Sequence, residues 1–226
     1  MILNKFLSIT TLIAVYLLVL GATANYSSAD KIENFTLPDY NGKEHSLSDY
    51  KNSKATVIIF IATECPVSND YNSRMEELYK NYSKKDVAFL GINSNKAESV
   101  EMIKEHAEEN DLTFTILKDK NNVVADEFGA SVTPEVYVVN SEMEILYHGR
   151  IDNSRDIDDV TSNDLQNALN EILEGKPVSN NSTKAFGCTI KRVWICLYIV
   201  KFICLFFLYL QFSDFIQLGF PNRKFQ

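Results

Sequence analysis

Histidine and glycine are scarce in this chain, with three and eight residues among 226. His45, His106 and His148 are scattered, so no Cys–His hydrolytic pair is signalled beside any cysteine. No glycine-rich phosphate loop occurs, which removes the common nucleotide-binding signature. The four cysteines, Cys65, Cys188, Cys196 and Cys204, form no zinc-type pairs, so no metal site and no cofactor is expected. Positive charge is also short. Across 25–187 there are 16 Lys+Arg against 29 Asp+Glu, a balance of −13, and the two ends bring the whole chain back to −8. An acidic body argues against nucleic acid and against anionic membrane surfaces as partners.

The two ends are unlike the middle. Residues 1–24 carry Lys5, a mostly apolar run over 6–20, then Ala22-Thr23-Ala24, a small-x-small cleavage pattern. This reads as a secretory signal peptide cut before Asn25, with an uncleaved membrane anchor as the other reading. Either way the chain is expected to leave the cytosol, for a periplasmic, extracellular or lumenal setting where disulfides are permitted. Residues 193–226 form a hydrophobic tail. Its apolar stretch over 193–210 has the length of a membrane span but holds Lys201 in its middle, at a cost of about 3 kcal/mol on insertion scales. Lys191 and Arg192 would lie on the outer side of an exported single-span protein, against the positive-inside tendency. Two readings stand: a membrane attachment, or an unnatural extension such as a frameshift or readthrough product.

Cys65 is the most informative residue. It lies in Thr63-Glu64-Cys65-Pro66, directly after the apolar run 55–62 and before a polar, helix-compatible stretch over 67–82. That pattern reads as buried strand, tight turn and helix, with the cysteine at the turn. A thiol there meets unpaired helix N–H groups and the positive end of the helix, both of which favour the thiolate. Pro66 fits the same geometry, since it biases Cys65 toward an extended backbone and suits the first helical position. A buried structural cysteine is the competing reading.

The order of elements decides the fold class. Short strands are expected at 34–37 and 45–47 about the turn Asp39-Tyr40-Asn41-Gly42, and central strands at 55–62 and 87–92. Helices are expected at 67–82, 97–109 and 161–173, with a short one at 123–128 ended by Gly129. A strand at 114–117 and an antiparallel pair, 135–139 with 142–148, complete the set. Strands alternating with helices and closed by a hairpin predict an α/β sandwich with a mixed sheet. Residues 25–175 are therefore one domain and 176–192 a polar linker.

This order resembles the thioredoxin-like superfamily. The opening Asn34-Phe35-Thr36-Leu37-Pro38-Asp39-x-x-Gly42-Lys43-x-x-x-Leu47-Ser48-Asp49-Tyr50 is similar to that of its redoxin branch, the AhpC/TSA-like proteins. The Cys-Pro turn and Val132-Thr133-Pro134 carry the rest of the resemblance, which spans about 31–191. It implies a three-layer thioredoxin-like α/β sandwich with a mixed central sheet. It also implies a cis Thr133–Pro134 bond facing Cys65.

The departures are informative. Ser68 stands where thioredoxins place a second cysteine, so the usual local disulfide is excluded. Ser68 is placed to donate a hydrogen bond to a Cys65 thiolate. Ile58 and Ala62 fill positions where peroxiredoxins carry proline and threonine, with Thr63 one residue off. Asn69 holds the place of the second cysteine of copper-chaperone relatives. Cys188, in Gly187-Cys188-Thr189-Ile190-Lys191, is similar to an ending of single Cys-Pro redoxins and is read as a resolving cysteine carried in on the flexible linker. An intermolecular disulfide and a permanent structural bridge remain as alternatives. Glu64 would raise the pKa of a nearby thiol. Arg74, and less so Arg150, are candidate cations near the sulfur.

The leading expectation is an exported thiol–disulfide oxidoreductase with Cys65 as nucleophile, Cys188 as resolver and a protein thiol or disulfide as partner. Thr63, Glu64, Pro66, Ser68, Arg74, Thr133 and Pro134 would shape its site. A peroxiredoxin-like reductase of hydroperoxides, re-reduced by a thiol, is the alternative. The third reading is a non-catalytic binding module at a membrane.

Overall fold

The computed structural model describes residues 31–193. The signal-like segment 1–24 and the tail from 194 onward lie outside the described residues. Among those described, no helix is long and apolar enough to cross a membrane.

Strand β3 (Ala55–Ile61) is the centre of the molecule. All seven of its residues are buried, as its unbroken β-branched and aromatic run dictates. It pairs in parallel with β4 (Val87–Asn93), which pairs in parallel with β5 (Thr115–Lys118). On its other side it runs antiparallel to β7 (Glu135–Val139), which pairs antiparallel with β8 (Ile145–Gly149). The sheet order is β5-β4-β3-β7-β8, the mixed sheet that the alternating pattern predicts. A separate hairpin, β1 (Thr36–Pro38) with β2 (Glu44–Ser46), precedes the sheet.

The two-residue period of β3 divides the core into two layers. Val57, Ile59 and Ile61 pack with Met75, Ile103 and Leu165 from helices α2 (Asn72–Tyr82), α3 (Val100–Glu109) and α5 (Asp164–Leu173). Ile58 and Phe60 face the other way, onto Phe35, Leu47 and Phe128, the last from α4 (Val123–Phe128).

Three elements differ from the sequence expectation, each for a local reason. The helix expected over 67–82 is two helices, α1 (Pro66–Asn69) and α2, interrupted at Asp70 and Tyr71. Tyr71 is buried there, and its hydroxyl donates to Asp152 at 2.9 Å, which fixes the break. The helix expected from 97 starts at Val100, because Ser99 caps it by accepting from the Met102 N–H at 3.2 Å. The linker is a docked strap, not a free tether. Its Thr183 N–H donates to the His148 carbonyl at 2.9 Å, and Cys188–Thr189 forms a strand, β9, on β6 (Val132–Thr133).

Candidate active site

The end of β3 delivers Cys65 to the first turn of α1. Cys65 is the N-cap residue, extended at φ −91° and ψ 112°, and Pro66 occupies the first helical position. The Ser68 N–H donates to the Cys65 sulfur at 3.3 Å. Ser68 thus reaches the sulfur through its backbone, not its hydroxyl. That hydroxyl is fully buried and accepts from the Ala62 N–H at 3.3 Å, closing the turn from below.

A carboxylate that the sequence reading passed over holds the rest of the turn. Buried Glu98 accepts from the Thr63 N–H at 2.7 Å and from the Glu64 N–H at 3.3 Å, and also from the Asn93 carboxamide. The Glu64 side chain itself is exposed. Asn69 donates to the Thr63 carbonyl at 2.9 Å, while the Thr63 hydroxyl and the Asn69 carboxamide oxygen are buried without a protein partner. Little in the sequence marks Glu98. It sits in an acidic stretch, and only its place just before the Ser99 cap sets it apart from the solvated glutamates that follow.

On the opposite side stands the loop before β7. The Thr133–Pro134 bond is cis, as the resemblance implies. The Cys65 thiol donates to the Thr133 carbonyl at 3.4 Å. Glu135, next in sequence, accepts from the Ser131 and Val132 N–H groups at 2.7 and 3.1 Å and pairs with His148 at 2.7 Å. Burial works to raise the pKa of Glu135, but His148 and these amides hold it below the usual carboxylate value.

The strap brings the second sulfur in. Thr133 lies opposite Cys188 in the β6–β9 register, so the residue that receives the Cys65 thiol is also the partner of Cys188. Gly187 makes this approach sterically open: a Cβ there would come within 2.0 Å of the Thr133 carbonyl oxygen. Beyond Cys188 the strap is tied down at successive residues. Ile190 is 3% exposed in the second core layer, and its N–H donates to the Ser131 carbonyl at 3.0 Å. The Lys191 N–H donates to the Asn95 carboxamide and the Val193 N–H to that of Asn122, both at 2.7 Å. Arg192 pairs with Asp126 at 2.6 Å.

The two sulfurs differ in acidity. Burial works to raise the Cys65 thiol, but hydrogen bonds from the Cys188 thiol, the Ser68 N–H and the Thr133 side chain outweigh it and hold Cys65 below the ordinary thiol value. Cys188 shifts upward, chiefly because its thiol bonds to Cys65 and secondarily through burial. The two shifts run in opposite directions and favour the thiolate at Cys65 over Cys188. Both cysteines are free thiols. The contact with the Thr133 carbonyl works the other way, since only a protonated thiol can make it.

The arginines are placed as follows. Arg74 binds Asp152 at 2.7 Å, donates to the Ser154 and Arg155 carbonyls, and lies over the Tyr71 ring. Arg150 pairs with Asp164 at 2.7 Å. Arg155 is exposed and paired with Asp70, which follows α1; that pairing, and after it the charge of ionised Cys188 and Cys65, favours its charged form. The signal for Arg155 was weak, because the loop that carries it is placed by the buried Arg74–Asp152–Tyr71 cluster.

These features sit on a known family pattern. The AhpC/TSA family model matches residues 29–148, which is more than half of the chain. The chain belongs to the AhpC/TSA family. Among curated members it is similar to the thiol-disulfide oxidoreductase ResA of Geobacillus thermodenitrificans, 29% identical over 50% of this chain and 63% of that protein. It is also similar to the chloroplastic peroxiredoxin Q of Sedum lineare, 28% identical over 55% of this chain and 70% of that protein. The chain thus spans a little under two thirds of the ResA sequence it matches. Among solved structures, an uncharacterised conserved protein of Geobacillus kaustophilus superposes with a TM-score of 0.70 at 33% identity, covering 75% of this chain and 94% of that one. A hypothetical protein of Sinorhizobium meliloti superposes equally well, at 0.70 and 29% identity, covering 76% and 97%. The AhpC/TSA fold of this chain is thioredoxin-like, and both of these structural neighbours extend across nearly their whole length.

Proposed function

We propose that this AhpC/TSA protein is an exported thiol-dependent oxidoreductase that cycles between a Cys65/Cys188 dithiol and an intramolecular disulfide. The observation that carries the reading is the shared contact at Thr133, which accepts from the Cys65 thiol and pairs in register with Cys188. Kinship with ResA and peroxiredoxin Q supports thiol chemistry of this general kind. Export rests on the sequence of 1–24 alone, and is checked by finding a mature chain that begins at Asn25.

The chemistry follows from the unequal sulfurs. With a disulfide R–S–S–R′, the Cys65 thiolate bonds to one sulfur, the R–S–S–R′ bond breaks, and R′S⁻ leaves and takes up a proton. Cys188 then loses its proton and attacks the Cys65 sulfur, expelling RSH and closing the Cys65–Cys188 bond. Two electrons have passed from the protein to the substrate. With a hydroperoxide ROOH, Cys65 bonds to the outer oxygen, the O–O bond breaks and ROH leaves; Cys188 then displaces water from the sulfenic acid. An external thiol reductant returns the pair to the dithiol in either case. The Ser68 amide stabilises the thiolate form.

A Cys188→Ser chain tests the proposal. It should take up one oxidising equivalent and stop, as a mixed disulfide with a small disulfide or as sulfenic acid with hydrogen peroxide. A variant that cycles with a thiol reductant as fast as wild type contradicts it.

A further inference from the structure

We infer that the strap of residues 187–193 is a built-in occupant of the substrate edge, and that the reduced protein selects small oxidants over protein disulfides. The inference rests on Cys65 being the reacting sulfur.

The β6 edge is short. Its two residues, Val132 and Thr133, both pair with β9. A protein substrate that lays an extended segment beside its disulfide needs backbone groups of this kind to pair with. Here they are already spent within the chain. Cys188 occupies the position opposite Thr133, the residue whose carbonyl accepts from the Cys65 thiol. Cys65 is 4% exposed, so the protein itself covers nearly all of this residue.

The strap is built to stay. Ile190 is buried in the core, and the carboxamides of Asn95 and Asn122 accept from the Lys191 and Val193 N–H groups. Both carboxamides belong to a buried polar group beneath the strap, in which Lys118 donates to Asn93 at 3.0 Å and Ser94 to Asp119 at 2.9 Å. The other end is held by Thr183, whose hydroxyl bonds to the Tyr147 hydroxyl at 2.8 Å and accepts from the Arg150 N–H at 3.0 Å. A partner that competes for the edge has to break this set cooperatively. A small molecule with a weak O–O or S–S bond does not.

The test uses the full-length reduced chain and three probes: hydrogen peroxide, bis(2-hydroxyethyl) disulfide and insulin. The last two share the same bond chemistry and differ in size. The peroxide arm distinguishes an O–O from an S–S oxidant. Loss of the Cys65 thiol should be at least about tenfold slower with insulin than with the small disulfide, a steric discrimination. Gly187→Val places a side chain against the Thr133 carbonyl and should raise the insulin-to-small-disulfide ratio about tenfold. Asn95→Ala, which unlatches the strap at a distance from the edge, should move the ratio the same way and serves if Gly187→Val does not fold. Amide exchange at Ile190 reports whether β9 has left the edge. Equal wild-type rates with insulin and the small disulfide overturn the inference, as does an unchanged ratio in a variant whose Ile190 amide has become exchangeable. A failure of the dithiol cycle looks different: the Cys65–Cys188 bond never forms, while the size ratio stands.

Discussion

The two sulfurs share one contact residue and little else. Cys65 is part of a turn built from its own chain neighbours, to which Glu98 and Thr133 add contacts from elsewhere. The end of β3 leads into it, Pro66 begins its helix, and Ser68 supplies an amide three residues on. Cys188 stands on a strand of two residues, at the end of a long strap, and reaches the site only because ties on both sides of it hold the strap against β6. One cysteine is placed by local structure and the other by tertiary structure. The acidity follows the same division: the locally caused sulfur is shifted downward and the imported one upward, each largely because of the other.

The comparison breaks most completely at the nucleophile. Cys65→Ser should reduce oxidation of the chain by a small disulfide to background. Cys188 lacks the Ser68 amide that favours the Cys65 thiolate and does not substitute for it, and thiol titration after mixing reads this directly. The next effect tests the strap. Ile190→Ala should cost about 2–5 kcal/mol, the usual range for an aliphatic side chain lost from a packed interior, and urea unfolding measures it. If β9 merely rested on the surface, the loss would fall well under 1 kcal/mol.

A pH profile sharpens the acidity difference. The reactive form of Cys65 is deprotonated and its folded pKa lies below the ordinary thiol value. Its rate with a small disulfide should therefore rise with pH and level off at a lower pH than a free cysteine, whose pKa is about 8.5. Cys188→Ala removes the largest contribution that lowers Cys65, so its profile should shift to higher pH. An unmoved profile would mean that Ser68 and Thr133 alone set the acidity. The smallest effect belongs to Arg155. Its charge is exposed and shared with Asp70, so Arg155→Gln should slow Cys65 by no more than about fivefold.

What was legible in the sequence divides along the same line. The run 55–62, the Cys-Pro step and the fixed backbone preference of Pro66 are local signals, and they placed β3, the turn and Cys65 at its helix N-cap. Cys188 carried a signal through its resemblance to a family ending, yet nothing near it in sequence says that it pairs with Thr133. That register comes from Ile190 entering the core and from the Asn95 and Asn122 carboxamides, about seventy residues or more away in sequence. Glu98 escaped notice for a related reason. Its partners are backbone amides of Thr63 and Glu64, which display no side-chain pattern to read. Helical spacing makes Arg74 a weak candidate, and spacing alone does not show that Asp152 pairs with it or that a nearby loop carries Arg155.

The central claim is that Cys65 and Cys188 form one dithiol. The most direct measurement is a peptide map of the full-length chain after one equivalent of hydrogen peroxide, with the remaining thiols blocked. The account predicts a single new disulfide joining Cys65 to Cys188, with Cys196 and Cys204 still labelled as thiols. A bond from Cys65 to either of those cysteines, or to a second chain, would contradict it.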